Sequence, residues 1–203
     1  NTKSRENNMS YLISIFISYL LGSIPFGLII AKFVKKTDLR KVGSGNIGAT
    51  NVMRFGGLRL AGLVWILDMV KAIVAVLIGR YVGGEILAVW CGFFAIIGHC
   101  FPIWLNFHGG KGVSCLFGVL LAINPILFVI CGIEWLIVAL GTGYSSLGAT
   151  VVFCLLPIFG FIMGNGLGFA FLAISILCFI RHRENVMRLI SGKESKIEWK
   201  WKK

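Results

Sequence analysis

Residues 11–31 read YLISIFISYLLGSIPFGLIIA and contain no charged side chain. At the 1.5 Å rise of an α-helix, 21 residues are long enough to cross a hydrocarbon core about 30 Å thick. Basic residues then cluster at Lys32, Lys35, Lys36, Arg40 and Lys41. An apolar run that ends in clustered positive charge is typical of a membrane span that emerges into the cytoplasm. We therefore predict that this stretch is the first transmembrane helix.

The whole chain has the composition of a membrane protein. Of its 203 residues, 57% are hydrophobic and 14% are charged, and its mean hydropathy is +0.88. Because no long polar linker divides it, we predict a single all-α domain over residues 1–203, with a disordered N-terminus at 1–8 and a cytoplasmic tail at 182–203. The net charge of +12 is assigned to the cytoplasmic surface, and nucleic acid binding is not expected.

Turn signals divide the rest of the chain into further spans. Leu58–Gly79 forms the second span, Gly83-Gly84 turns the chain, and residues 86–104 form the third. Three more breaks, at residues 124–125, 141–146 and 164–166, divide the stretch from 112 to 180 into four spans. The total is seven, and six is the alternative because residues 111–123 are few for a full crossing.

Seven spans with the N-terminus outside place most of the basic residues on one side. Loop 32–57 with Arg59, loop 105–112, turn 142–147 and tail 181–203 together hold 16 of the 20 Lys and Arg residues. This asymmetry agrees with the positive-inside rule and puts the C-terminus in the cytoplasm. Within the second span, Asp68 and Lys71 are one helical turn apart, and we favour a structural ion pair over a proton path.

Two glycine-rich segments with a basic residue lie on this cytoplasmic side. Residues 43–54 read GSGNIGATNVMR, and residues 98–112 read GHCFPIWLNFHGGKG. Glycines let backbone N–H groups converge on an anion, and Arg54 and Lys111 supply positive charge. The second segment opens a helix, whose free N–H groups would also attract a phosphate. The alternatives are an ordinary turn for the first segment and a lysine that reaches the membrane surface for the second.

Two further polar positions lie on the same side. His182 and Asn185 share a helical face where the last span ends, although a solvated basic tail would give the same pattern. Ser145 and Ser146 lie in the third polar turn, where a hydroxyl could bind a substrate oxygen or cap the next helix. The six cysteines form no CxxC pair, so we predict no metal site.

Four stretches in this order resemble the bacterial acyl-phosphate:glycerol-3-phosphate acyltransferases, the PlsY family. They are GSGNIGATNVMR at 43–54, HCFPIWLNFHGGKG at 99–112, YSSLGA at 144–149 and HRENVMRLISGKE at 182–194. The resemblance implies a seven-span enzyme of the bacterial cytoplasmic (inner) membrane, with its active site facing the cytoplasm. The chain also lacks the HxxxxD motif of other glycerophosphate acyltransferases.

The resemblance implies transfer of a fatty acyl group from acyl phosphate to the 1-hydroxyl of glycerol 3-phosphate. The products are lysophosphatidic acid and phosphate, in the first acylation of phospholipid synthesis. No cofactor is implied. The partners implied are acyl phosphate, glycerol 3-phosphate and membrane lipid, and the acyl-phosphate-forming enzyme is a candidate protein partner.

The family motifs also imply the site residues. The expected catalytic residues are Ser44, Arg54, Lys111 and His182. The expected substrate-binding residues are Gly43, Asn46, Thr50, Asn51, His99, Gly109, Gly110, Ser145, Asn185, Arg183 and Glu194. Among these, we expect the acyl phosphate to be bound by Ser44, Arg54 and Lys111. We expect the glycerol 3-phosphate to be bound by Ser145, His182 and Asn185.

Two other classes of function are alternatives. A transporter or channel for a phosphorylated solute would use similar anion-binding loops, but transporter sites usually lie near the midplane between repeated halves. The sequence has no internal repeat, and its motifs cluster on one face. A purely structural membrane subunit would leave the polar loops without a role.

Overall fold

The computed structural model describes residues 2–197, and every regular element in that range is a helix. The α-helices are α1 (Thr2–Gly22), α2 (Phe26–Lys35), α3 (Ala49–Cys100), α4 (Val113–Ile123), α5 (Pro125–Thr142), α6 (Ser145–Met163) and α7 (Leu167–Ile190). Short 3₁₀ turns lie at Leu39–Lys41 and Ile103–Leu105. The all-α prediction is confirmed within the described residues. The last six residues of the predicted tail, 198–203, lie outside them.

The first predicted span is two helices rather than one. The helix is interrupted between Gly22 and Phe26. Pro25 lies in this interruption and has no N–H to donate to a helix. Gly22 lies so close to α3 that an added Cβ would stand 2.0 Å from the carbonyl oxygen of Ala95. The prediction of disorder at 1–8 is wrong for the described residues of that stretch, because α1 begins at Thr2. Extending an existing helix into a polar segment costs far less than nucleating a new one.

Helix α3 folds back on itself and supplies two adjacent crossings. Its backbone leaves helical geometry at Gly57 and again at Gly83 and Gly84, which confirms the predicted turn. Beyond the turn, the segment 85–100 packs antiparallel to the segment 58–82, as the close approach of Gly79 to Ala88 shows. Gly84 has φ of 75°, a conformation that a residue with a side chain adopts only under strain.

Four stretches of the described residues are long and apolar enough to cross a membrane. They are Arg5–Val34, Gly56–Leu105, Pro125–Thr142 and Ser145–Met163. Helix α4 has only 11 residues, or about 16 Å at 1.5 Å per residue, so it is too short to cross a full hydrocarbon core alone. Helix α7 is not among these four stretches, because three charged residues fall within its first 18 residues.

Antiparallel pairing brings the polar segments to one end of the bundle. Successive helices run in opposite directions, with Phe117 of α4 packed on Phe128 of α5 and Phe161 of α6 packed on Phe169 of α7. Because the two segments of α3 and the helices α4 to α7 alternate in direction, loop 43–48, loop 101–112, turn 143–144 and the end of α7 share one end.

The outer face of α5 is apolar and exposed. Its large side chains recur at helical spacing, and Ile126 and Ile137 have 72% and 66% of their surface exposed. The interior is packed instead with Phe153, Phe171, Ile96 and Leu116, which are all fully buried. A continuous apolar stripe of this kind faces hydrocarbon in a membrane protein, whereas a water-soluble protein would cover it.

Lys71 connects three parts of the chain inside the bundle. Its Nζ lies 2.7 Å from Asp68 Oδ1 and 3.1 Å from His99 Nδ1, and it donates a hydrogen bond of 2.8 Å to the carbonyl oxygen of Ile24. The side chains of Asp68 and Lys71 are each 2% exposed. The predicted ion pair is therefore present, and it also holds the break between α1 and α2 against the α3 hairpin.

We expect Lys71→Met to lower the free energy of unfolding by about 3–5 kcal/mol, because it leaves the buried Asp68 carboxylate without its cation. The measurement is the thermal unfolding of the purified protein in detergent. The matched control is the double variant Asp68→Asn/Lys71→Met, which removes both charges and is expected to recover most of the loss. A single variant as stable as the wild type would contradict this role for Lys71.

Candidate active site

Asn51, in the first turns of α3, shapes the first glycine-rich loop. Its Oδ1 accepts a hydrogen bond of 3.0 Å from the backbone N–H of Ser44. Its Nδ2 lies 3.2, 3.0 and 2.8 Å from the carbonyl oxygens of Leu39, Val42 and Asn46. The side chain is 2% exposed in total. Its amide is therefore occupied by the loop backbone, and we expect Asn51 to hold the loop in shape rather than to bind substrate directly.

The glycines of the second motif are also held by protein contacts. The N–H groups of Gly109 and Gly110 donate to the carbonyl oxygens of Cys100 and His99, at 3.1 and 2.9 Å. The guanidinium of Arg181, on α7, donates to the carbonyl oxygens of both glycines, at 3.0 and 3.1 Å. These two amides are therefore not free for a phosphate, which corrects the sequence expectation for them. The contacts fix the position of the Lys111 backbone that follows.

Lys111 belongs to a network of charged and polar side chains. Its Nζ donates to Asn185 Oδ1, and Asn185 Nδ2 donates to Glu194 Oε1 at 2.6 Å. The same carboxylate accepts from Ser146 Oγ at 2.8 Å and from Arg188 Nε at 2.7 Å. Loop 101–112, α6, α7 and the segment after α7 therefore meet at one point.

Burial and hydrogen bonding shift the pKa values of the two ends of this network. Burial, with the nearby positive charge of Arg188, lowers the pKa of Lys111 below its ordinary value. Burial alone would raise the pKa of Glu194, but the hydrogen bonds from Asn185, Ser146 and Arg188 outweigh it and lower that pKa. Near neutral pH the network therefore contains an ionised Glu194.

His182 lies beyond the apolar part of α7, residues 167–180, and its ring is buried against Phe153 with the ring centroids 5.0 Å apart. Its Nδ1 lies 2.9 Å from the carbonyl oxygen of Cys178. A carbonyl only accepts, so Nδ1 carries the hydrogen and Nε2 keeps a free lone pair. Burial lowers the pKa of His182 to about 4, although the bond to Cys178 opposes the shift. The imidazole is therefore neutral near pH 7.

The segment after α7, residues 191–197, crosses back over the polar end of the bundle. Arg54 donates to Ser195 Oγ at 2.7 Å, and the N–H of Ile197 donates to the carbonyl oxygen of Gly143 at 2.7 Å. Ile197 is 7% exposed. These contacts join the first motif, the third polar turn and the end of the chain's described part.

One cavity of about 520 Å³ opens among these segments. Its lining includes eleven of the predicted site residues: Ser44, Asn46, Thr50, Asn51, Arg54, His99, Lys111, Ser145, His182, Asn185 and Glu194. The four motifs, far apart in sequence, therefore converge as predicted. Basic and polar side chains line one end of the cavity, and Trp65, Phe117, Phe128 and Leu136 line the other.

Four predicted residues do not line the cavity. Gly43 packs against Asn51, where an added Cβ would stand 2.2 Å from Oδ1, so its glycine serves the loop. Gly109 and Gly110 pack tightly against His99 and its neighbours. Arg183 is exposed on α7 because it points away from the face that carries His182.

Three residues at or beside the cavity were not predicted from the sequence. They are Arg188 and Ser195, which line it, and Arg181, which holds the second motif. Ser146, named in the sequence only as a candidate beside Ser145, also lines the cavity. Arg188 follows Asn185 by three positions, so helical spacing could have placed it on the same face. Ser195 has no such signal, since only the return of the chain after α7 brings it to Arg54.

His99 lines the cavity and also belongs to the buried ion-pair cluster. Its ring is 5% exposed and joins the Asp68–Lys71 pair, with Nδ1 3.6 Å from Asp68 Oδ1. Possible ligand atoms of Asp68, His99 and Cys115 lie within 4.8 Å of one another. The ammonium of Lys71, 2.7 Å from that carboxylate, opposes a metal cation there.

We expect Asn51→Ala to destabilise the protein by about 1–3 kcal/mol, because it removes hydrogen-bond partners from several buried backbone groups of the first loop. Thermal unfolding in detergent measures the loss. The matched control is Thr50→Ala, at the adjacent and exposed position, which is expected to unfold at nearly the wild-type temperature. Equal melting temperatures for the two variants would contradict the role of Asn51 in shaping the loop.

Comparison with known proteins gives a consistent result. The family described as glycerol-3-phosphate acyltransferase matches residues 12–192. A glycerol-3-phosphate acyltransferase of Rhizobium etli is 48% identical over 187 residues, which cover 92% of this chain and 91% of that protein. One of Bradyrhizobium diazoefficiens is 46% identical over 187 residues, with 91% and 94% covered.

Solved structures agree in fold. The glycerol 3-phosphate form of PlsY, described as an integral membrane glycerol 3-phosphate acyltransferase, has a TM-score of 0.88 at 37% identity, covering 93% of this chain and 96% of that one. The lysophosphatidic acid form of PlsY has a TM-score of 0.86 at 36% identity, covering 92% and 95%. The matches extend over most of the chain, so this integral membrane protein belongs to the glycerol-3-phosphate acyltransferase family, of the PlsY type.

Proposed function

We propose that this acyltransferase takes its acyl group from acyl phosphate and delivers it to the 1-hydroxyl of glycerol 3-phosphate, with lysophosphatidic acid and inorganic phosphate as products. The supporting observation is one cavity that combines Arg54, Lys111 and Arg188 with an apolar extension. Both proposed substrates carry a phosphate, and one also carries a long apolar chain. A cavity with a basic end and an apolar end matches this pair.

The reaction is a displacement at the carbonyl carbon of the acyl phosphate. The hydroxyl oxygen of glycerol 3-phosphate attacks that carbon, an ester bond forms, and the bond from the carbon to the phosphate oxygen breaks. The leaving phosphate takes the electron pair of that bond. Lys111 and Arg54 stabilise the negative charge that builds on the carbonyl oxygen and the departing phosphate. Because acyl phosphate is already activated, the protein mainly positions and desolvates the two substrates.

The assignment of residues to substrates remains as the motifs predict. Ser44, Arg54 and Lys111 face the acyl phosphate, and Ser145, His182 and Asn185 face glycerol 3-phosphate. The contact between Lys111 and Asn185 supports adjacent phosphate sites, since these two residues belong to different groups. Gly43, Asn46, Thr50, His99, Gly109, Gly110 and Glu194 complete the proposed site, either at the cavity or in the loops that build it. Arg183, exposed on α7 and directed away from the His182 face, is left out of the proposed site.

The hydroxyl proton has two possible acceptors. We propose a phosphate oxygen of a substrate as the base, with His182 as the rival. His182 Nε2 carries a free lone pair, and the imidazole is neutral above pH 4, so it is able to accept a proton or to bind the hydroxyl. The structure offers no Ser-His-Asp relay among the residues that line the cavity.

The proposed topology has seven crossings in one domain of residues 1–203, in the bacterial inner membrane. The N-terminus lies outside, and the active site and C-terminus lie in the cytoplasm. The concentration of Lys and Arg at the polar end supports this orientation. Helices α4 and α7 are the remaining two of the seven crossings. Helix α4 is short, but it packs against neighbouring helices, so its length does not have to match the thickness of the lipid layer. We propose no cofactor or metal, and the acyl-phosphate-forming enzyme as a candidate partner.

The proposed reaction predicts phosphate release from palmitoyl phosphate that depends on glycerol 3-phosphate. We expect Lys111→Ala to lower kcat by about 10²–10³-fold, because it removes a charged donor from the developing oxyanion. The matched control is Lys193→Ala, an exposed lysine outside the cavity, which should keep wild-type activity. Absence of release from folded wild-type protein would contradict the proposal and favour a transporter, which uptake into liposomes would test.

The two candidate bases predict different pH–rate profiles. If a substrate phosphate accepts the proton, the wild type and His182→Gln should share an acid limb near the second phosphate pKa of about 6. If His182 is the base, the wild type should lose activity only as the pH falls toward its pKa of about 4, and the variant should lack that limb. The measurement is kcat/KM from pH 4 to 9. A profile whose shape changes in the variant would contradict the phosphate as base.

A further inference from the structure

The apolar arm of the cavity is lined by one face from each of two helices. On the 58–82 segment of α3, the lining residues are Leu58, Ala61, Gly62 and Trp65, at the spacing i, i+3, i+4 and i+7. On α5, they are Phe128, Gly132, Trp135 and Leu136, at i, i+4, i+7 and i+8. Such spacing places each set on a single helical face, so the arm is a cleft between α3 and α5.

An aromatic cluster closes the deep end of this cleft. Trp65 on the 58–82 segment, Phe117 on α4 and Phe128 on α5 are, on their segments, the lining residues furthest from the polar loops. Their rings are in contact, with centroids 6.4 Å apart for Trp65 and Phe117 and 5.9 Å apart for Phe117 and Phe128. Phe117 is 5% exposed. Large, rigid rings that pack on one another form a firm end wall.

The length of the cleft follows from positions on α5. Trp135 marks its polar end, because its indole N–H donates to the carbonyl oxygen of Ser145 at 3.1 Å. Phe128 is seven residues earlier, which is about 10 Å deeper along the helix. Gly132 lies between them, and an added Cβ there would meet only Phe117, at 3.9 Å. The cleft is therefore open at Gly132 and closed at Phe128.

We infer that Trp65, Phe117 and Phe128 set the acyl-chain length that the enzyme prefers, and that Gly132 keeps the path to them open. This inference rests on the proposed function. The occupant is the acyl chain of the acyl phosphate, because the cleft is continuous with the cavity that contains Arg54 and Lys111. A phosphate held by those residues directs its apolar chain into the cleft.

The energetic basis is the burial of methylene groups. Each methylene that fits into the apolar cleft improves binding by about fourfold. A chain that is too long meets the aromatic wall and has to bend, which removes the gain. Discrimination between chain lengths therefore arises at the wall, and discrimination between substrates and other phosphates arises at the basic end.

The test measures kcat/KM for octanoyl, dodecanoyl, palmitoyl and stearoyl phosphate, with glycerol 3-phosphate saturating. We expect Gly132→Leu to lower the ratio of palmitoyl to octanoyl activity by about tenfold or more, because the new side chain fills the cleft. We expect Phe128→Ala to raise the ratio of stearoyl to palmitoyl activity. Phe128→Leu provides a milder version of the same change if the alanine variant does not fold.

The matched control is Ile133→Ala, next to Gly132 on α5 but 54% exposed on the outer face, which should leave every ratio unchanged. Variants that change kcat/KM for all four substrates by the same factor would overturn the inference. The proposed function would still stand in that case, provided that the wild type is active. A wild type that releases no phosphate from any of the four would contradict the proposed function itself. The two failures are therefore distinguishable.

Discussion

In a hydrocarbon layer, every backbone N–H and C=O group has to find its hydrogen bond within the protein, and this constraint organises the molecule. Loops and breaks are therefore confined to the ends of the bundle or to places where a side chain supplies the missing partner. The break between α1 and α2 is such a place, because Lys71 donates to the carbonyl oxygen of Ile24. The motif-bearing segments lie at the polar end of the bundle, and the cavity forms where they converge.

Charge is handled in two different ways in the two parts of the protein. Inside the bundle, Asp68 and Lys71 neutralise each other at 2.7 Å and are sealed from solvent. At the polar end, Lys111 contacts the neutral amide of Asn185, and Glu194 is shared among Ser146, Asn185 and Arg188. The first arrangement holds helices together. The second leaves positive charge and exchangeable hydrogen bonds at a cavity, which is what an anionic substrate requires.

The sequence predicted the helical class, the turn at Gly83-Gly84 and the pairing of Asp68 with Lys71, because these depend on hydropathy and on residues close together in the chain. It missed the division of residues 11–31 into two helices, because Pro25 within an apolar run is compatible with a kinked continuous helix as well as with a break. It also predicted free backbone N–H groups at Gly109 and Gly110, which in fact donate to carbonyl oxygens of the protein. Glycine identity shows that a backbone approaches something closely, but only the fold shows that the neighbour is a carbonyl oxygen rather than a phosphate.

The chain alone was sufficient to recognise a membrane protein with four family motifs and to name eleven of the residues that line one cavity. Composition, charge asymmetry and motif spacing can be read from the chain directly, and they do not depend on how the helices pack. The tertiary structure decided how those residues are used. In the folded protein, Asn51 holds the first loop in shape, and Arg54 donates a hydrogen bond to Ser195. The rings of Trp65, Phe117 and Phe128 pack together at the end of a cleft. Such contacts depend on the relative positions of helices that are distant in sequence, and those positions are set by packing.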